Sequence, residues 1–282
     1  MMFRVKVIVS RDGFALVTAL IAFAVLSSAA TAIMIGTRTA ARTASSEVRI
    51  LSARYLADAG LMRLVASAED PTDELLQQLR STRQPVRWAY AGGIIALSMI
   101  PESGKIDVNT GDPELLRRAL RIAVQDDRRA EEIARSVFQS RERKQLYTTP
   151  LALLPPRERL LPVASRIRSM FTVMTRCKGI DPGSASDDVL RSLPGMTDRQ
   201  IEVLRGVQRG VASFEGTWEH SSNAGLFEPE LPIYTLLAVA YAPDGTVARR
   251  QATIAVDPHS RRSAVVVWDD LAEPLEIPGG TS

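Results

Sequence analysis

The sequence predicts an α+β protein in which a long N-terminal helix packs on an antiparallel sheet and a block of helices is inserted between the strands. Three observations carry that prediction across the 282 residues. A run without charge, Phe14 to Gly36, passes into an apolar repeat at intervals of three and four. Two strand-rich regions, 86–108 and 231–269, lie far apart in the chain. The segment between them has the cap signals and apolar spacing of short helices.

The first element is the charge-free run. A helix rises about 1.5 Å per residue, so this run can cross a hydrocarbon core of roughly 30 Å. A short basic leader, 1–13, carries Arg4, Lys6 and Arg11, which hold that end on the cytoplasmic side. Two processing routes fit. A secretory signal is cut beyond its apolar region, and Ala29, Ala30 and Ala32 could serve that cut. The run is longer than an ordinary signal core, however, and Arg38 and Arg42 follow it at once, which favours a cut after Gly13 that leaves Phe14 at the head of a retained helix. Beyond the run, Val48, Leu51, Tyr55, Ala59 and Met62 stack on one face and predict a helix whose second half packs on a folded domain. Asp70, Pro71 and Thr72 supply a stop and a new cap before "TDELLQQLR", a short helix.

"RWAYAGGIIALSMI" places β-formers on both sides of a glycine pair and reads as a hairpin. "LPIYTLLAVAYAPDGTVARRQATIAVDP" gives two more strands joined at Pro243-Asp244-Gly245, and "SAVVVWDD" another. The two regions are expected to form one sheet. Between them, "GKIDVNTGDPELLRRAL" and "KGIDPGSASDDVLRSLP" form a faint repeat, with Asp112-Pro113 and Ser186-Asp187-Asp188 opening helices. "DDVLRSLPGMTDRQIEVLRGVQRG" is a helix-hairpin-helix: Leu190 and Leu193 face a core, Pro194-Gly195 breaks the helix, and Thr197 with Gln200 makes a capping box ahead of Ile201, Leu204 and Val207.

Composition and chemistry narrow the function. With 45% hydrophobic and 24% charged residues the chain is ordinary globular material, and its charge of +3 comes from arginines interleaved with acids, which reads as solvated helix faces. Hairpins of this kind often bind nucleic-acid phosphates through backbone N–H groups. Here Asp198 sits where a phosphate would lie and the second turn glycine is missing, so packing is the reading and Arg199, Arg205 and Arg209 supply only long-range attraction. Catalytic signatures are missing, because His220 and His259 stand beside neither a metal-ligand spacing nor a nucleophile motif. No enzyme activity and no cofactor is expected. Asp181, Asp187, Asp188, Glu215 and Glu228 could converge on calcium, yet no spacing ties them together and capping explains them better. Cys177 is the only cysteine, so it forms no internal disulfide and is expected as a small buried residue.

In order, "GFALVTALIAFAVLS" after its leader, "ARYLADAGLMRLV", "SGKIDVNTGDPELL" and "SLPGMTDRQIEVL" resemble the minor pseudopilins of the general secretion pathway protein K family, of the type II secretion system. The resemblance runs over nearly the whole chain. It implies a pilin-like fold divided into a leader (1–13), a transmembrane helix (14–36), the pilin-like helix and first strands (37–108), an inserted helical domain of helix-hairpin-helix or SAM-like type (109–214), and strands completing the sheet (215–282). It further implies cleavage by prepilin peptidase between Gly13 and Phe14 and methylation of the new amine. Pilin-like subunits generally carry a glutamate five residues past the cut, neutralising a neighbour's N-terminal amine inside the membrane, where an unpaired charge is costly. Thr18 stands there instead, as suits a first subunit with no predecessor.

The implied setting is the inner membrane, crossed once, with the C-terminal domain in the periplasm. The implied partners are the minor pseudopilins I and J and the major pseudopilin, with Val48, Leu51 and Tyr55 contacting them, and no nucleic acid. The role is to start the pseudopilus that exports folded proteins across the outer membrane. Two alternatives are a minor pilin of a type IV pilus and a membrane-anchored helix-hairpin-helix DNA-binding protein of a competence system.

Overall fold

The computed structural model describes residues 11–208 and 224–269 and divides the chain into two compact units, Met1–Ser52 and Ala53–Ser282. Helix α1 runs from Arg11 to Glu69. Within the first unit it is a helix whose large apolar side chains, Leu20, Phe23, Leu26 and Ile33 among them, are exposed.

The second unit begins where α1 turns small. Ala53, Leu56, Ala57, Leu61 and Leu64 are buried on the sheet, and a Cβ on Gly60 would meet Ile95 Cγ2 at 2.6 Å and Leu97 Cδ2 at 3.0 Å. Alanine and glycine here bring helix and sheet close together. The apolar face read from the sequence therefore needs correction. Tyr55 and Met62 are 65% and 57% exposed, and the buried stripe is offset from them, because the sheet selects the face with the smallest side chains.

Helix α2, Glu74–Thr82, follows. Asp73 caps it by accepting from the Leu75 and Leu76 N–H groups, while Asp70 closes a local turn by accepting from Thr72, so the cap lies just beyond the expected Asp70–Thr72 group. Strands β1, Val86–Tyr90, and β2, Gly93–Pro101, form the first hairpin. Its turn is Ala91-Gly92, both at positive φ, and Gly93 already belongs to β2, where a Cβ would meet Leu56 Cδ1 at 2.8 Å. The glycine pair thus does two jobs, and only the first glycine makes the turn.

Strands β5, Ile233–Tyr241, β6, Val247–Val256, and β7, Ser263–Asp269, come from the far end of the chain, and the sheet order is β1-β2-β5-β6-β7, antiparallel throughout. Ile94 pairs with Tyr241 and Pro101 with Tyr234, which joins the two distant β regions edge to edge. Gly245 takes a positive φ in the turn read from Pro243-Asp244-Gly245.

Between β2 and β5 lies a second core built from α3 (Pro113–Val124), α4 (Asp127–Glu142), α5 (Pro162–Met170), α6 (Asp187–Ser192) and α7 (Asp198–Gln208), with a short parallel ladder of β3 (Ile106–Asp107) and β4 (Phe171–Thr172). Leu115, Leu116, Leu120, Val137, Ile167 and Leu190 fill it. Ile106 and Val108, just before the expected insert start at 109, are fully buried in this core, and Leu226 and Phe227, beyond 214, pack against it.

The faint repeat is structural. Asp107 Oδ1 accepts from the N–H groups of Asn109 and Thr110 at 2.7 and 3.1 Å, and Asp181 Oδ1 accepts from Gly183 N–H at 2.9 Å, so each Ile-Asp pair buries its isoleucine and turns the chain with its carboxylate. Asp112 and Ser186 cap α3 and α6 as read from the sequence.

Candidate functional site

The first candidate is the anchor. Within Leu16–Glu69 helix α1 holds a stretch long and apolar enough to cross a membrane, by length and composition. Two of its hydroxyls bond back to the preceding turn: Ser28 Oγ donates to Val25 O at 2.8 Å and Thr31 Oγ1 to Ser27 O at 2.8 Å. Hydroxyls bonded to the preceding turn cost little in hydrocarbon, so this stretch suits lipid despite its serines and threonines.

Gly13 and Phe14 lie in the first turn of α1, and Thr18 follows one turn later. Further along the first unit, Val48 and Leu51 are 63% and 50% exposed. In the second unit Tyr55 is likewise turned to solvent while Ala53, Leu56 and Ala57 beside it are buried.

The second candidate is the helix-hairpin-helix. Gly195 takes a positive φ, Thr197 Oγ1 accepts from Gln200 N–H at 3.3 Å, and Gln200 Oε1 accepts from Thr197 N–H at 2.9 Å, so the capping box forms. Leu190, Leu193, Ile201 and Leu204 are buried, and the hairpin packs as one piece of the helical core. Its charges pair with one another at the surface. Arg205 grips Asp187 with two donors and reaches Glu202 at 3.0 Å, and Arg191 lies 3.7 Å from Asp198. The Arg205 hydrogen bonds hold the Asp187 carboxyl below its usual range, and the same pair raises the Arg205 guanidinium. Arg199 is exposed, and Arg209 lies outside the described residues.

The remaining sequence candidates are scattered. Asp187 is committed to Arg205, and Asp181 accepts from Gly183 N–H and from the Ser184 hydroxyl at 2.5 Å. Glu215 and His220 lie outside the described residues, and among the described residues no three His, Cys, Asp or Glu side chains gather as a metal site. His259 is exposed beside Asp257. Cys177 is only half-buried, and burial pushes its thiol up.

Sequence reasoning missed the task of several arginines. Arg118 Nε donates to Ser192 O at 2.8 Å at the end of α6, Arg166 Nε donates to Ala123 O at 2.7 Å near the end of α3, and Arg141 donates to Val108 O and Gly111 O at 3.0 and 2.8 Å. They satisfy carbonyls that helix ends and turns leave open. A periodicity argument sees only their charge. Also missed was Glu102, 4% exposed, whose Oε1 accepts from Thr235 Oγ1 at 2.7 Å and Lys105 Nζ at 2.5 Å and so ties the sheet to the insert.

The chain matches no protein-family description and no characterised protein by sequence. By fold it is similar to a chain in the crystal structure of the GspK-GspI-GspJ complex from the type 2 secretion system of enterotoxigenic Escherichia coli. The identity is 11%, the TM-score is 0.48, and the alignment covers 83% of this chain and 99% of that one.

Proposed function

We propose that this chain is a non-enzymatic minor pseudopilin of the type II secretion system, anchored once in the bacterial inner membrane and placed at the pseudopilus tip. The observation that carries the reading is one architecture: an N-terminal helix begins as a membrane-type span, its later turns lie on an antiparallel sheet, and that sheet is interrupted between β2 and β5 by a helical domain with its own core. The quoted motifs fall in order along that architecture. Leader cleavage after Gly13 would free Phe14, and Thr18 leaves the chain without the membrane carboxylate through which a subunit joins a predecessor. The insert is too large to repeat along a packed shaft, which favours an end position. Partners on this reading are the minor pseudopilins I and J and the major pseudopilin, met along α1.

The pairing of Arg205 with Asp187 and of Arg191 with Asp198 supports packing over nucleic-acid binding in the hairpin. No cofactor is assigned.

Mass spectrometry of the membrane-extracted chain, joined to filament counts, tests the proposal. The mature mass should begin at a methylated Phe14, and Gly13→Leu should leave the leader attached. Thr18→Glu should not raise filament number, because a tip subunit has no preceding amine for it to neutralise. A mature N-terminus beyond Ala29 would sink the reading, and more filaments with Thr18→Glu would move the subunit from tip to shaft.

A further inference from the structure

A cleft of about 390 Å³ lies between the outer face of the sheet and the helical insert, beside the Glu102–Lys105–Thr235 contacts. Its floor is one row crossing four strands: Ile100 pairs with Thr235, Thr235 with Thr253, and Thr253 with Val267. The row ends at β7, the last strand of the sheet among the described residues, where Val267 is 38% exposed. Opposite the floor stand Pro150, Leu151, Phe171 and Val173 of the insert.

The charges of this cleft do not cancel. Among the described residues its ionisable lining groups are Glu102, Lys105 and Arg168. Glu102 is consumed by Lys105 and Thr235, with the Lys105 side chain itself only 12% exposed. Arg168 is in the last turn of α5 and is half-buried, and among the described residues it has neither ion pair nor hydrogen bond. The cleft therefore combines largely apolar walls with one uncommitted guanidinium, whose planar fork matches a carboxylate. Its volume is at the lower end of the roughly 300–1,000 Å³ usual for ligand sites, which suits a short segment.

We infer that this cleft receives an extended segment of a partner polypeptide in which an acidic side chain, held by Arg168, is flanked by aliphatic side chains laid on the row from Ile100 to Val267. The inference rests on the assembly reading for the partner's being a polypeptide, and the site's own chemistry selects the acid and the aliphatic neighbours.

Fluorescence anisotropy tests it, using the full chain in detergent and a labelled acetyl-Gly-Val-Glu-Val-Gly-amide at about 100 mM salt, where a half-buried pair is only partly screened. Binding should saturate. Glutamine in place of the peptide's glutamate, or Arg168→Gln in the protein, should each weaken it by about tenfold or more, and Arg168→Lys should restore part of the loss. Circular dichroism should be unchanged in both variants, since Arg168 holds no other group.

Absence of saturation at millimolar peptide, equal binding by Arg168→Gln, or displacement of the peptide by equimolar butyrate would each overturn the inference, the last by reassigning the cleft to small carboxylates. A chain that is cut after Gly13 and enters filaments yet ignores the peptide removes this site and leaves the assembly reading standing.

Discussion

The two cores of the second unit are held together by different means. Where α1 meets the sheet, contact is made by shape: Ala53, Ala57 and Gly60 let the helix sit against Ile95, Leu97 and Ala238, and few polar groups intervene. In the helical insert Leu115, Leu120 and Leu190 supply apolar volume, but short helices leave many open carbonyls and amides in a small space. Arg118, Arg141 and Arg166, with Asp107 and Asp112, close them. A long helix on a sheet has few ends, and a bundle of short helices has many. Arginines that close backbone carbonyls are thus part of the architecture of the insert.

The largest effect should come from breaking the first kind of contact. Gly60→Val places carbon where Ile95 Cγ2 already lies 2.6 Å from an ideal Cβ, with Leu97 and Ala238 close on either side. Neither helix nor central strand can retreat without loosening the rest, so about 3 kcal/mol of stability should be lost, at the upper end of overpacking costs. Urea unfolding followed by circular dichroism reads it. A loss below about 1 kcal/mol would show that the helix stands off the sheet.

Next comes the second kind of contact. Arg141→Met keeps much of the aliphatic stem over Phe138, whose ring lies 5.6 Å from the guanidinium carbon, but removes the donors to Val108 O and Gly111 O. The cost should be about 2 kcal/mol, typical for hydrogen bonds from a charged group. Arg141→Lys should recover less than half of it, because an ammonium cannot span both carbonyls with a fixed fork. Burial already lowers the Arg141 guanidinium, with Asp107 and Asp112 acting against that shift. Full rescue by lysine would mean that charge, not geometry, is what the insert needs.

The smallest effect belongs to the exposed edge of the insert. The Arg205 hydrogen bonds hold Asp187 below its ordinary 3.8, so the folded protein keeps this carboxylate ionised at a pH where the unfolded chain protonates it. That contribution is present above about pH 4 and fades as pH falls through the depressed value. Asp187→Asn should therefore lower stability slightly at pH 7 and progressively less as pH falls through the depressed value, read as a reduced acid sensitivity of the unfolding midpoint. Solvent screens this pair, so the shift should be small and should shrink in salt. Destabilisation independent of pH would assign the effect to packing.

Sequence alone determined the elements whose signal is local. The charge-free run, the Asp112 and Ser186 caps, the Thr197–Gln200 box and the Pro243-Asp244-Gly245 turn each depend on residues within a few positions of one another, and periodicity and cap chemistry report such relations directly. The single sheet made from two distant regions was legible too, because neither region alone could bury a face. Tertiary structure alone decided which side of α1 is buried, since Leu51, Tyr55 and Met62 compete with Ala53, Ala57 and Gly60 and only the sheet's need for close approach favours the smaller set. It alone drew Ile106 and Val108 into the helical core, gave Arg118, Arg141 and Arg166 their distant carbonyls, and set Arg168 opposite a row of residues from four strands. Those relations join residues tens of positions apart, and a partner's position in space leaves no period in the sequence for a local reading to find.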